Sequence, residues 1–407
     1  MKIMQINAVA NIGSTGRTTI ELADVLKEQG HNYYIVYSEK RQNSTDENLY
    51  QMVPNFGKKM HAFLSRLFGL QGYFSTFSTL KLLRHISSIK PDVITLRNLH
   101  GNYINIPILL NYIANNNIPT VVVLHDCFFY TGRCMHYSAS NCSKWQTGCF
   151  HCPRLKKDNV SWFFDRSKKM YKDKKYAFSK IKNLAVIGVS DWVTNEAKKS
   201  FLKDAKIIRR IYNWVHTDTF KPIPSDIRRK LNLEKKFVIL GIASNWTKEK
   251  GVFDFIKLSK LIDENSIIFL IGEMPNKLEL QANIINVKSI DKLTELAKYY
   301  SLADVFLNLS IEETFGKVTA EALACGTPAI VYDTTGCAEL IKENTGFVVP
   351  VNNINSLKEK ILEIKEKGKA YYSDSCISHA RENFDYKTNA KKYIELYNEM
   401  IINHLII

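Results

Sequence analysis

No uninterrupted apolar run in the 407 residues approaches the ~18 needed to cross a bilayer, which argues against an integral membrane protein. The segment Met1-Lys2-Ile3-Met4-Gln5-Ile6-Asn7 lacks a long apolar stretch of the secretory kind, so a cytoplasmic location is expected. No short repeat and no low-complexity tract appears. Acid is scarce in one half only. Residues 1–214 hold 31 Lys and Arg against 14 Asp and Glu, a net of +17, whereas the remainder holds 25 and 26. Such a field attracts nucleic acid, anionic lipid or a phosphorylated substrate. No nucleic-acid-binding motif accompanies it, and the basic residues are dispersed, so nucleic acid is not an expected partner.

Two further absences concern cofactors. Gly13-Ser14-Thr15-Gly16-Arg17 follows the first strand, but no third glycine completes a dinucleotide fingerprint. The residues after the second strand, Tyr37-Ser38-Glu39-Lys40-Arg41, offer Glu39 alone as a ribose-binding acid. A nicotinamide-dependent enzyme is thereby weakened as a rival. No Asp-x-Asp element stands at a strand end, so no catalytic metal or other catalytic cofactor is expected.

With 45% apolar and 24% charged residues, the chain can bury substantial cores, and its length suits two or three domains. Short β-branched runs at 1–9, 32–37, 92–96, 120–124 and 184–189 alternate with helical patterns such as 18–29. Apolar runs without strict alternation suit parallel strands covered on both faces. The pattern restarts with strands at 236–243, 266–271, 305–309 and 329–332 and a helix at 252–262. Two βαβ series predict an α/β protein of two doubly wound parallel sheets facing across a cleft. Prolines at 222 and 224 place the boundary near 217–224. The expected division is 1–216, with a Cys-rich insertion at 127–154, then 217–390, and a terminal helix over 391–407 packing back toward the first domain.

Ligands in such folds bind beyond the carboxyl ends of the strands. That gathers Gly13, Gly16, Arg17, His125, Asn245, Lys250 and the segment 313–321 around one cleft. The segment is Glu313-Thr314-Phe315-Gly316-Lys317-Val318-Thr319-Ala320-Glu321, followed by Ala-Leu-Ala-Cys-Gly-Thr-Pro. It follows a strand and opens a helix, so the backbone N–H groups from Phe315 to Thr319 form a candidate pyrophosphate site.

This segment resembles the donor-binding motif of retaining glycosyltransferases of family 4, with the GT-B fold. The resemblance extends to Ala303-Asp304-Val305-Phe306-Leu307 before it and Gly336-Cys337-Ala338-Glu339-Leu340 after it. Lys250-Gly251 is similar to the family's phosphate-binding pair, and His125-Asp126 to its N-domain pair. The stretch 99–105, with the cysteines after His125, resembles the subgroup of colanic-acid, O-antigen and capsule synthesis. The resemblance implies Glu313, His125 and Lys250 as catalytic residues and Glu321 on the donor ribose. Phe315, Gly316, Lys317, Val318, Thr319, Asn245, Gly13, Gly16 and Arg17 would line the donor. A UDP- or GDP-linked sugar would be transferred to a lipid-linked glycan. Two departures stand out: the family's arginine five residues before the lysine is Asn245, and its Asn-Gly-Val-Asp is Asn213-Trp214-Val215-His216.

Cys134, Cys142, Cys149 and Cys152 are spaced C-x7-C-x6-C-x2-C, with His136 and His151 interleaved. A structural zinc pinning this insertion is one expectation, and four reduced thiols the other. Finally, Met60, Phe63, Leu64, Leu67 and Phe68 recur at helical spacing beside Lys58, Lys59 and Arg66. Such a helix covers its own core or docks the basic half on an anionic membrane surface, on the inner face of the cytoplasmic membrane.

Overall fold

The computed structural model describes residues 1–40 and 46–405. Arg41 and the last two residues of the expected terminal helix lie outside them. The chain forms two compact units, Met1–Ile211 with the chain from Ala390, and Tyr212–Asn389.

The first unit is built on seven parallel strands in the order Leu49–Gln51, Asn32–Tyr37, Lys2–Ile6, Val93–Leu96, Thr120–Leu124, Leu184–Gly188 and Ile207–Arg210. The three strands from Val93, Thr120 and Leu184 are buried at every residue, as continuous Val, Ile and Leu runs require when helices cover both faces. The first strand ends sooner than its apolar run. Val9–Ala10 leaves the large sheet and pairs with Glu39–Lys40. The helix begins at Gly13, so Gly13–Gly16 is its first turn and not a preceding loop. Gly16 permits this, because a Cβ there would lie 3.1 Å from the Asn11 nitrogen.

The second unit carries six parallel strands in the order Ile284–Val287, Ser266–Glu273, Phe237–Asn245, Val305–Asn308, Ala329–Tyr332 and Gly346–Val349. It begins at Tyr212 rather than 217. Trp214 and Val215 are buried, and the Val215 N–H donates to the Phe384 carbonyl at 2.8 Å, which ties this segment to the second unit. The terminal helix Tyr386–Leu405 places the chain from Ala390 with the first unit. There Asn183 Nδ2 donates to the Met400 carbonyl at 2.9 Å, and the hydroxyls of Tyr397 and Thr95 lie 2.9 Å apart. Among the described residues no helix is long and apolar enough to cross a membrane.

Candidate active site

In the second unit the site is made by loops at the carboxyl ends of the strands from Phe237 and Val305. Lys250 Nζ meets Glu313 Oε1 at 2.5 Å, with 36% of the lysine side chain and 18% of the glutamate exposed. Burial works against the ammonium charge, but the Glu313 carboxylate and its hydrogen bond outweigh that and raise the Lys250 pKa. Gly251, at φ 77°, explains why glycine follows the lysine. A Cβ there would fall 2.4 Å from the Leu309 carbonyl oxygen, blocking the approach of the two loops. The Ile311 N–H donates to the Glu249 carbonyl at 3.0 Å, and the Glu313 N–H to Thr335 Oγ1 at 3.0 Å. Glu313 is therefore held by its backbone while its carboxylate stays partly open.

Helix Lys317–Ala324 starts at Gly316, whose φ of 85° and close neighbour Cys337 exclude a side chain. The expected cradle of backbone donors is shorter than the sequence suggests. The Thr319 N–H already donates to the Gly316 carbonyl at 2.9 Å, and its buried hydroxyl packs with Asn308 and Cys337. Phe315 offers backbone only, since its ring packs against Phe384 and Tyr212. Lys317 and Val318 are half-buried at the helix start. Glu321 is buried on the same helix and accepts from the Tyr300 hydroxyl at 2.9 Å. Asn245 is exposed at the end of its strand, where the pairing with Ser266–Glu273 shifts register.

In the first unit, His125 ends the strand Thr120–Leu124 and its Nε2 lies 2.9 Å from Arg97 Nη1. Arg97 is fully buried and also donates from Nε to Gln5 Oε1 at 3.0 Å. Asp126 Oδ2 pairs with His100 Nε2 at 2.7 Å, and Oδ1 accepts from the Phe128 N–H at 2.8 Å. Burial alone would raise the Asp126 pKa, but the His100 ring and these hydrogen bonds bring it below the ordinary value. Gly13 is exposed, Gly16 buried and Arg17 half-buried at the start of the first helix.

Two family models match this chain: Glycosyltransferase Family 4 over residues 15–219 and Glycosyl transferases group 1 over residues 225–383. The chain belongs to glycosyltransferase family 4. It is 26% identical over 222 residues to N-acetyl-alpha-D-glucosaminyl L-malate synthase of Bacillus anthracis, covering 52% of this chain and 58% of that one. It is 29% identical over 194 residues to the O-antigen chain mannosyltransferase RfbU of Salmonella typhimurium, covering 43% and 52%. The chain thus spans about half the length of the curated relatives it matches. HepE of Anabaena, solved in complex with UDP, superposes with a TM-score of 0.66 at 16% identity, over 98% of this chain and all of that one. The fold of this family 4 chain is GT-B.

The four cysteines of the insertion lie near one another, Cys149 acting electrostatically on Cys134 and itself feeling Cys142 and Cys152. Cys134 and Cys152 come together, Sγ to Sγ 3.9 Å, but among the described residues no three His, Cys, Asp or Glu side chains converge as metal ligands. Cys149 Sγ instead accepts from the Gly132 N–H at 3.1 Å. The insertion has another anchor. Tyr130, Tyr137 and Trp145 form a buried aromatic cluster with centroids 5.0–6.3 Å apart.

Sequence reasoning missed Arg97 and His100, the partners of His125 and Asp126. Their signal was present: a cation directly after the strand Val93–Leu96, and a histidine three residues on.

Proposed function

We propose that this family 4 protein is a retaining glycosyltransferase, moving a sugar from a UDP- or GDP-linked donor to a lipid-linked surface glycan such as O-antigen or capsule. The observation that carries it is the Lys250–Glu313 pair beside the start of helix Lys317–Ala324. A cation, a carboxylate and a helix N-terminus together suit a sugar diphosphate. In the absence of donor the two side chains neutralise each other. On binding, Lys250 turns to the diphosphate and Glu313 is released to the sugar hydroxyls. Lys250 and the amides at Gly316–Val318 then stabilise charge developing on the leaving diphosphate. Glu321 holds the ribose and His125 contacts the sugar. The leaving phosphate accepts the acceptor proton on the same face, which retains configuration. Lys248 or a first-unit cation stands in for the arginine missing at Asn245.

The similarity to an O-antigen mannosyltransferase supports the acceptor class, and the UDP bound by HepE supports a nucleotide donor. The charge asymmetry supports docking of the basic first half on the anionic inner face of the cytoplasmic membrane. A hydrolysis screen of UDP- and GDP-sugars, with thermal unfolding in UDP, GDP and NAD, is the test. Protection by UDP or GDP with release of one sugar supports the proposal. Protection by NAD alone defeats it.

A further inference from the structure

Helix Asn55–Phe68 is turned inside out. Its buried residues are His61 and Ser65, whereas Phe56 is 76% exposed, Met60, Phe63 and Phe68 are exposed, and Leu64 and Leu67 are half-buried. A surface helix ordinarily directs its apolar stripe at the core. Here His61 takes that place, with Nδ1 2.7 Å from Ser75 Oγ, and burial lowers its pKa to about 4. The aromatic part of the stripe seen in the sequence is therefore not the core-covering face.

A second element adds to this face. Trp162, Phe163 and Phe164 are three consecutive exposed aromatics, Phe163 at 68%. Their loop is built, not slack. The Trp162 N–H donates to the Arg66 carbonyl at 2.8 Å, and Ser161 Oγ donates to the Phe164 carbonyl at 2.7 Å. Gly69, at φ 70°, ends the helix where a Cβ would lie 2.2 Å from the Phe164 oxygen, so glycine lets the loop close on the helix. Phe63 and Trp162 stand edge to face at 5.7 Å. Backbone ties hold these rings on the surface.

The charge around them is mostly positive, although Lys58 pairs with Glu39. Residues 49–90 contain six Lys and Arg and no Asp or Glu. The Arg166 guanidinium lies over the Phe164 ring at 5.4 Å, and Lys168, Lys169 and Lys172 follow, exposed, along a surface groove. The two acids of that groove are engaged. Asp165 accepts from the backbone N–H groups of Cys152 and Ser167, and Asp173 from the Tyr73 hydroxyl and Lys169.

We propose that this face, the outer side of helix Asn55–Phe68 with the 162–164 loop and the cations that follow it, seats in the interface of a bilayer carrying anionic phospholipids. Tryptophan and phenylalanine settle at the headgroup–acyl boundary, and lysine and arginine meet lipid phosphates. The face lies at the carboxyl end of the sheet. The Ile106 N–H donates to the Gly72 carbonyl at 2.7 Å, joining the turn after the helix to the segment that follows strand Val93–Leu96, which also carries Arg97 and His100. A bilayer seated there lies on the side of the unit that bears His125. The inference rests on the membrane-side reading of the basic half and names the surface that performs it.

The test is sedimentation of the full chain with phosphatidylcholine vesicles, alone and with about one third phosphatidylglycerol. Two variants are compared: Trp162→Ser with Phe163→Asp, and Lys168→Glu with Lys169→Glu and Lys172→Glu. The wild type is expected to pellet with anionic vesicles only, and less so in high salt. Each variant is expected to lose on the order of 10²-fold in vesicle affinity while keeping its melting temperature and donor hydrolysis. Brominated lipid is expected to quench a component of emission that Trp162→Phe removes. If the wild type binds anionic vesicles and both variants bind equally well, the basic half docks by another face and this inference is overturned. If the wild type binds no vesicle, both fall. A concentration-dependent dimer abolished by Phe163→Asp, without vesicle binding, assigns the face to a second copy and overturns the lipid.

Discussion

The carboxyl ends of the two sheets handle charge in opposite ways. At the second sheet, Lys250 and Glu313 stand half-open and compensate each other, so a ligand can exchange partners with them. At the first sheet, the Arg97 guanidinium is fully buried against neutral groups, Gln5 and His125. Because a guanidinium only donates, His125 Nε2 must accept, and the ring carries its proton on Nδ1. In the proposed function, one end exchanges partners with an anion. The other is arranged for rigidity, with a charge kept in the interior to fix one ring.

The largest effect should come from breaking the open end. Lys250→Ala and Glu313→Gln are each expected to lower transfer by about 10²–10³-fold. Both side chains are partly exposed, so their thermal unfolding should stay near wild type. Near-normal turnover with either substitution would remove the site from the second unit. Measured against it, Arg97→Met tests the closed end. The substitution leaves Gln5 Oε1 and His125 Nε2 without their donor, which should cost about 1–3 kcal/mol of stability. Transfer should fall further, by about 10²-fold, as His125 loses its orientation. A 15N spectrum of the imidazole provides the independent check: the Nδ1-protonated form should dominate in the wild type and mix with the other tautomer in the variant.

The same contrast explains what was legible in the sequence. The central strands were visible because both their faces are buried, which leaves unbroken runs such as Thr120–Leu124. Among the strands that went unseen, Leu49–Gln51, Ile207–Arg210 and Ile284–Val287 all lie at sheet edges. An edge strand pairs along one side only, and these run for only three or four residues, too short for a periodic pattern to stand out. The open site was readable because glycines 251 and 316 and the residues around them are constrained by local geometry. The closed site was not, because Arg97 and His125 are joined only by tertiary packing across neighbouring strands. The apolar stripe of residues 60–68 has helical spacing, yet spacing says nothing about which side the core occupies.

A smaller effect concerns Asp126. Its pKa in the folded state lies below the ordinary carboxylate value, so it stabilises the fold above about pH 3.9. That contribution is lost as the pH falls through the lower folded value. Asp126→Asn should cost about 1.5–3 kcal/mol at neutral pH, as a charge-assisted hydrogen bond does. The gap in melting temperature between variant and wild type should narrow progressively below pH 4. A gap that persists unchanged in acid would mean that packing, not the carboxylate charge, makes the contribution.

The smallest effect separates the two units by their thiols. In the second unit, burial pushes Cys325, Cys337 and Cys376 up to about 12. In the first, hydrogen bonding from Cys134 holds Cys152 down to about 7, against the opposing push of burial, while Cys134 itself is raised. The thiolate is the nucleophile, so alkylation depends on both its fraction and its access. Iodoacetamide near pH 7.5 should therefore label Cys152 well before the three second-unit cysteines, with peptide mapping as the readout. Zinc content of protein purified without chelator decides between the two expectations for Cys134, Cys142, Cys149 and Cys152. Near-stoichiometric zinc, with Cys152 protected until the metal is removed, would favour the structural metal, and its absence the four reduced thiols. With zinc bound, the aromatic cluster of Tyr130, Tyr137 and Trp145 would share with the metal the work of holding the insertion.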